Sequence, residues 1–275
     1  MTPNPAGPET ARADPAELLS VAVELARAAG ALLLQRPDDL GATAKSTPTD
    51  AVTKMDRAAE RVILDGLARR RPHDRVVAEE SGTSGGGSDV TWFVDPLDGT
   101  VNYLYDIPHW AVSIAAAVGD TVVAGVVFDP HRDETFQALR GRGATCNGRP
   151  LAVSAQADPA FALVATGFSY AAAERSRQAE VLRAVLPRVR DIRRAGSAAL
   201  DLCAVAASRV DAFFEAGMYP WDWAAGGLIA EEAGATFGGV GGRPPGAWTT
   251  LVANPALFVA LDRLLLEAGD GPRAS

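Results

Sequence analysis

Leu18, Leu25, Leu32 and Leu33, with alanines filling the intervals, lay one apolar face along the start of the chain, and that spacing predicts a helix to residue 35. Asp14 and Pro15 supply its cap and first helical position, with Glu17 three residues after the cap. Met55, Ala59, Val62 and Leu67 repeat the pattern after a polar loop over 41–50, and Thr53 with Asp56 marks where this second helix begins. The period then changes. Val76, Val77 and Ala78 form a short strand ending on two adjacent acids, Glu79 and Glu80, and Trp92, Phe93 and Val94 form another. Pro96 has no N–H to give a sheet, so this second strand is expected to stop at Asp95. Residues 82–89, rich in Gly and Ser, read as a mobile loop between them.

Further on, β-rich runs over 111–118 and 121–128 flank Gly119-Asp120, a hairpin signal, and 135–139 and 151–153 read as further strands or edges. Residues 171–189 predict an amphipathic helix interrupted near its end by Pro187, and 198–208 an alanine-rich helix capped by Ser197. A strand over 210–215 ends on Glu215. Trp221-Asp222-Trp223 opens a helix that stops at Gly234, and a strand over 250–252 precedes a helix opened by Asn254-Pro255. Helices first, then strands, then both in alternation predict a layered α/β (α+β) fold with mixed sheets. The expected division is a flexible tail over 1–13, an N-terminal half over 14–153 and a C-terminal half over 154–275.

Composition narrows the function without naming it. A formal net charge of −8 over 275 residues disfavours a nucleic-acid binder, yet leaves room for a small phosphorylated substrate, because bound cations can invert the field of a site. Cys146 and Cys203 fit no metal spacing and do not staple a chain of this size, so a reduced, cytoplasmic protein is expected. No run of 18 apolar residues occurs, and the start of the chain has no apolar core of a signal peptide, so no membrane association is expected.

The chemistry gathers in 92–102. Asp95 and Asp98 on one tight turn repel each other unless a cation sits between them or both face water, and Gly99 and Thr100 behind them offer the accessible N–H groups that bind phosphate. Taken alone, this turn reads equally as a solvated one, and Asp56 as a charge favouring its helix terminus. The acids Asp56, Glu79, Asp95, Asp98 and Asp222 all fall at element ends, however. His73, His109 and His131 lie outside these motifs and read as surface or structural.

The sequence D-P-L-D-G-T over 95–100, followed by W-D-x-A-A-G over 221–226, resembles the inositol monophosphatase family, within the wider group of magnesium-dependent, lithium-sensitive phosphomonoesterases. Matching pieces between residues 16 and 265 include Val77-Ala-Glu79-Glu80-Ser81, the run from Asp50 to Asp56, Ala111-Val-Ser-Ile114, Gly196 to Cys203, and Phe214-Glu215 seven residues before Asp222. The resemblance implies an inositol monophosphatase/fructose-1,6-bisphosphatase-like fold whose N-terminal half carries most metal ligands while the C-terminal half completes the substrate pocket. It implies two or three Mg²⁺ ions: Glu79, Asp95 and the Leu97 carbonyl holding the first, Asp95, Asp98 and Asp222 the second, and Glu79, through waters, a third. It makes Glu79, Thr100 and Asp56 catalytic, with Thr100 bonded to Asp56 and helping to activate the attacking water. Gly99 and Thr100 would receive the phosphate, with Ala198, Glu215 and Asp222 facing the alcohol, and Lys45 would lie in a mobile segment over the site. Carboxylates with one carbonyl suit Mg²⁺, and a metal-activated water leaves little need for a histidine base.

The expected activity is hydrolysis of inositol monophosphate, with histidinol phosphate, fructose 1,6-bisphosphate or 3′-phosphoadenosine 5′-phosphate as alternatives. Arg193 and Arg194 would reach a second anionic group or stay solvated. A different alternative is a binding partner of the transcription machinery with incidental catalysis. A homodimer is expected from the resemblance. Tyr103 and Tyr219-Pro220 depart from the family pattern, the latter beside the alcohol pocket.

Overall fold

The structure, a computed structural model, describes residues 13–246 and 248–270. The tail expected over 1–13 lies outside them, except for Ala13. Helix α1 (Pro15–Leu33) starts where Asp14 accepts a hydrogen bond from the Ala16 N–H at 3.0 Å, and its buried stripe runs through Leu18, Val21, Leu25, Ala29 and Leu33. A short ladder of β1 (Thr43–Ala44) and β2 (Ala51–Val52) holds the loop carrying Lys45. Helix α2 (Lys54–Arg70) opens with a capping box in which Thr53 and Asp56 satisfy each other's backbone N–H groups.

An eight-stranded sheet follows. Its strands are β3 (Arg75–Ala78), β4 (Gly82–Gly85), β5 (Val90–Asp98), β6 (Ala111–Val118), β7 (Thr121–Asp129), β8 (Glu134–Leu139), β9 (Ala144–Cys146) and β10 (Arg149–Pro150), with the short helix α3 (Thr100–Leu104) after β5. The spatial order is β10-β9-β8-β7-β6-β5-β3-β4, antiparallel except for the parallel pair β3–β5. The remaining chain gives β11 (Leu163–Thr166), α4 (Ala172–Val185), β12 (Asp191–Arg193), α5 (Ala198–Ala206), β13 (Ala212–Ala216), α6 (Pro220–Glu232), β14 (Thr236–Gly239), β15 (Thr249–Ala253) and α7 (Pro255–Glu267). Five of these strands form a second, mixed sheet in the order β12-β11-β13-β15-β14.

The two sheets and their helices stack as α–β–α–β–α layers. On β6, Val112, Ile114 and Ala116 face α1 and α2, while Ala111 and Ala115 face α5 and α6. On β13, Phe213 faces that same central helix layer, while Ala212 and Phe214 face α7 and the end of α4. Both faces of each sheet are covered, so the strands read as apolar runs rather than as alternations. The predicted layered fold with mixed sheets is the observed one.

Several local expectations differ. Strand β5 does not stop at Asp95 but continues to Asp98, with a register shift against β6 between those residues; the missing N–H of Pro96 falls inside this irregularity, where the ladder is already interrupted. Residues 82–85 are not a loop but edge strand β4, paired with β3. Residues 151–153 form no strand; Val153 instead donates to the Ala233 carbonyl at 3.1 Å. Helix α4 ends at Val185, and Pro187 falls in a 3₁₀ turn over Leu186–Arg188.

Candidate active site

Strands β3 and β5 run side by side with Ala78 opposite Val94, which delivers Glu79, just past the end of β3, and Asp95, Leu97 and Asp98 of β5 to the same place. Gly99 then turns the chain with φ +96°; a Cβ there would stand 3.1 Å from the His109 carbonyl and 3.2 Å from that of Gly196, so only glycine allows this turn. Thr100 follows as the first residue of α3. From the second sheet come Glu215 at the end of β13, Ala198 in the first turn of α5 and Asp222 in the first turn of α6. These residues, with Lys45, line one cavity of about 600 Å³. Asp56 is fully buried behind them, where its Oδ1 accepts from the Thr100 hydroxyl at 2.8 Å and its Oδ2 from the Thr53 N–H at 2.8 Å. A larger cavity of about 1160 Å³ lies beyond Gly167 and Glu215, but contains none of Glu79, Asp95, Asp98 or Asp222.

Protein donors fix one oxygen of each of three carboxylates and leave the other to the cavity. Asp95 Oδ1 accepts from the Leu97 N–H at 3.0 Å, Asp98 Oδ2 from the Ser197 hydroxyl and from the Ala199 N–H at 2.7 Å, and Asp222 Oδ2 from the Tyr219 N–H at 2.6 Å. Glu79 Oε1 accepts from Lys45 Nζ at 2.8 Å, and the same ammonium reaches Glu80. Above them, the Thr49 hydroxyl donates to the Tyr170 carbonyl at 3.2 Å, which ties the Lys45 loop across the cavity mouth.

Burial, with the neighbouring acids Glu79, Asp98 and Asp222 adding to it, raises the Asp95 carboxyl well above its ordinary range. Burial likewise raises Asp222, and brings Asp98 to about 6 against the opposing pull of Ser197 and Ala199. Glu215, open to the cavity but ringed by protein, is raised to about 7 by burial and then by Asp98. Burial alone would lower Lys45, but Glu79 and Glu80 carry it upward. Among the described residues, no three Asp, Glu, His or Cys side chains are drawn tightly round one point as an ion's ligands would be. The donor set nevertheless fits a hard cation: oxygen ligands only, one free oxygen on each of three acids, and negative charge that the protein itself does not neutralise.

Every site residue predicted from sequence lines the cavity except Asp56, which stands behind Thr100. None of the three histidines lines it; burial lowers His109, and the His131 ring packs edge-on against Trp110. The two arginines part company. Arg193 donates to Asp191 Oδ2 at 2.6 Å, whereas Arg194 lines the cavity. Sequence reasoning missed Tyr170 and Asp201 as lining residues and read Ser197 only as a cap, although it also holds Asp98. The one available signal was that Asp201 follows Ala198 by three positions on a helix.

Fold and site together define a phosphomonoester hydrolase. The chain belongs to the inositol monophosphatase family, whose sequence model matches residues 14–268. Inositol-1-monophosphatase of Mycobacterium bovis is 46% identical over 242 residues, covering 81% of this chain and 83% of that protein. Nus factor SuhB of Escherichia coli K12 is 44% identical over 222 residues, covering 79% and 83%. The crystal structure of the extragenic suppressor protein suhB from Bartonella henselae superposes with a TM-score of 0.86 at 37% identity, covering 90% of this chain and 98% of that one. The family is generally Mg²⁺-dependent. Among the described residues, no helix is long and apolar enough to cross a membrane.

Proposed function

We propose that the protein hydrolyses the phosphate ester of a small polyol, with inositol monophosphate as its substrate. The convergence of Glu79, Asp95, Asp98 and Asp222 on one cavity beside the Gly99–Thr100 turn supports this reading most. In it, residues 14–153 supply most of the metal ligands and residues 154–275 close the alcohol side. Glu79, Asp95, Asp98, Asp222 and the Leu97 carbonyl would hold Mg²⁺, two or three ions, which when bound supplies charge to polarise the phosphate and acidify water. The protein's own groups do the rest. The Thr100 hydroxyl donates its hydrogen bond to Asp56, leaving its oxygen lone pairs to accept a hydrogen bond from the attacking water, and Thr53 keeps Asp56 aimed. Burial raises Asp56, which suits it to sharing a proton. The backbone N–H groups at Gly99 and Thr100 receive the phosphate, and Ala198, Glu215 and Asp222 face the leaving alcohol. A cytoplasmic homodimer inhibited by Li⁺ belongs to the same proposal.

The test is phosphate release from inositol 1-phosphate, histidinol phosphate, fructose 1,6-bisphosphate and 3′-phosphoadenosine 5′-phosphate, each with Mg²⁺, with EDTA and with added Li⁺. Inositol 1-phosphate should be turned over best, only with Mg²⁺, and less with Li⁺; no release from any substrate refutes the reading. The similarity to Nus factor SuhB favours one second reading, a binding role in the transcription machinery. Retention of RNA polymerase by an Asp95→Asn variant in a pull-down would support it.

A further inference from the structure

The wall of the cavity carries two charged side chains without a task in the reaction above. Asp201 follows Ala198 by three positions on α5 and so emerges on the same face of that helix. It is only 4% exposed, and among the described residues its carboxyl accepts no hydrogen bond. Its oxygens are not sealed in, and they open on the cavity. A helix-capping role does not explain it: the Ser197 hydroxyl accepts from the Leu200 N–H at 3.3 Å, and Asp201, one residue further on, accepts nothing. A buried carboxyl with no donor is costly, so one aimed into a cavity points to a donor supplied from outside.

Arg194 faces the same space. Its guanidinium folds back over Gly196, where a Cβ would stand 2.8 Å from Nη1 and where φ is +101°. Among the described residues it makes no ion pair within 4 Å, although its charge opposes the upward pKa shift that burial gives both Asp201 and Glu215. Glu215 likewise accepts no hydrogen bond among the described residues.

We propose that Arg194 and Asp201, together with Glu215, read the hydroxyl groups of the leaving alcohol, the two carboxyls accepting from them and the guanidinium donating to them. This rests on the phosphatase reading and adds two specificity residues to it. A hydroxyl both donates and accepts, so neighbouring hydroxyls on a neutral ring satisfy all three groups at once. An ammonium only donates and would meet Arg194; a second phosphate only accepts and would meet Asp201 and Glu215.

The experiment compares the wild type with Asp201→Asn and Arg194→Gln at saturating Mg²⁺ on inositol 1-phosphate and on p-nitrophenyl phosphate, whose leaving group carries no further hydroxyl. For each variant kcat/KM should fall about tenfold more on the inositol substrate than on the aryl one, the size expected when a hydrogen-bonding site loses a partner. An equal fall on both substrates, or none on either, overturns the assignment. If Asp201→Asn fails to fold, wild-type turnover of monodeoxy-inositol 1-phosphates decides instead: at least one should be poorer by a similar factor, and equal turnover of them all overturns it. No turnover of any substrate by the wild type overturns the phosphatase reading itself, and is distinguishable from a loss of selectivity alone.

Discussion

Stripping metal from this protein should make it less stable at neutral pH than at mild acid pH, the reverse of most acid unfolding. Asp98 has its carboxyl at about 6 in the folded chain against an ordinary 3.8, and Glu215 at about 7 against 4.5. Each holds a proton that the unfolded chain has already released, so its stabilising contribution is complete below about pH 4 and is lost as pH rises through 6 to 7. A rise of roughly two units corresponds to about 3 kcal/mol, and relaxation around the charged group leaves about half of that. For a chain of this length the fall in Tm is about 5 °C between pH 5 and pH 7.5. Asp95, Asp222 and Asp201 shift in the same direction. His109, whose burial keeps it neutral, opposes the trend as pH falls below its ordinary range, but it does so whether or not Mg²⁺ is present. The decisive readout is therefore the Mg²⁺ increment. Thermal melts in EDTA and in millimolar Mg²⁺ should differ by several degrees at pH 7.5, where about 2.7 kcal/mol is gained at a hundredfold excess over Kd, and hardly at pH 5. Asp95→Asn should melt higher than the wild type in EDTA at pH 7.5 and lose that increment, since asparagine keeps an oxygen for the Leu97 N–H. Equal Mg²⁺ increments at both pH values would refute the view that these carboxylates share one uncompensated field.

Three further outcomes follow from single contacts. Thr100→Val removes the hydroxyl that bonds Asp56, so kcat should fall about a hundredfold with Mg²⁺ dependence retained, and near-normal turnover would remove Thr100 from the reaction. Gly167→Ala places a Cβ 2.0 Å from Glu215 Oε2; the flexible acid moves aside at little cost in stability, and kcat/KM for inositol 1-phosphate should drop about tenfold, whereas unchanged kinetics would place Glu215 away from the alcohol. Trp92→Phe strips the donor that meets Asp74 Oδ2 at 2.9 Å from a fully buried position, which should cost about 2 kcal/mol in denaturant unfolding; a loss below 0.5 kcal/mol would show that Arg71 and Ser88 already satisfy that carboxylate.

Helices α1, α2, α5 and α7 were legible because each announces itself by its apolar residues and by a side-chain cap, Asp14, Thr53, Ser197 and Asn254 in turn. The strands were legible only in part. β12 is Asp-Ile-Arg and β14 is Thr-Phe-Gly-Gly, and neither carries a pattern that its own residues could show; each exists because a neighbouring strand offers it hydrogen bonds. Pro96 misled for a related reason, since whether a proline breaks a ladder depends on what its partner strand does opposite it. The acids were found through short motifs around tight turns, where backbone and chemistry coincide. Asp201 was not, and Arg194 was read only as reaching a second anionic group or staying solvated, because their part in the cavity depends on how α5 and its preceding loop sit against β13, a distance of the fold and not of the chain.

Asp222 reaches Asp95 and Asp98 only because α6 is seated between the two sheets, with Ala225 in close contact with Gly125 of β7 and Gly227 against Phe237 of β14. Glu79, Asp95 and Asp98 are thus made early in synthesis and the acid that joins them comes more than a hundred residues later. A nascent chain on the ribosome can form most of the large sheet while lacking this last carboxylate. Newly made protein should accordingly stay catalytically silent until its second sheet has closed, however much Mg²⁺ surrounds it.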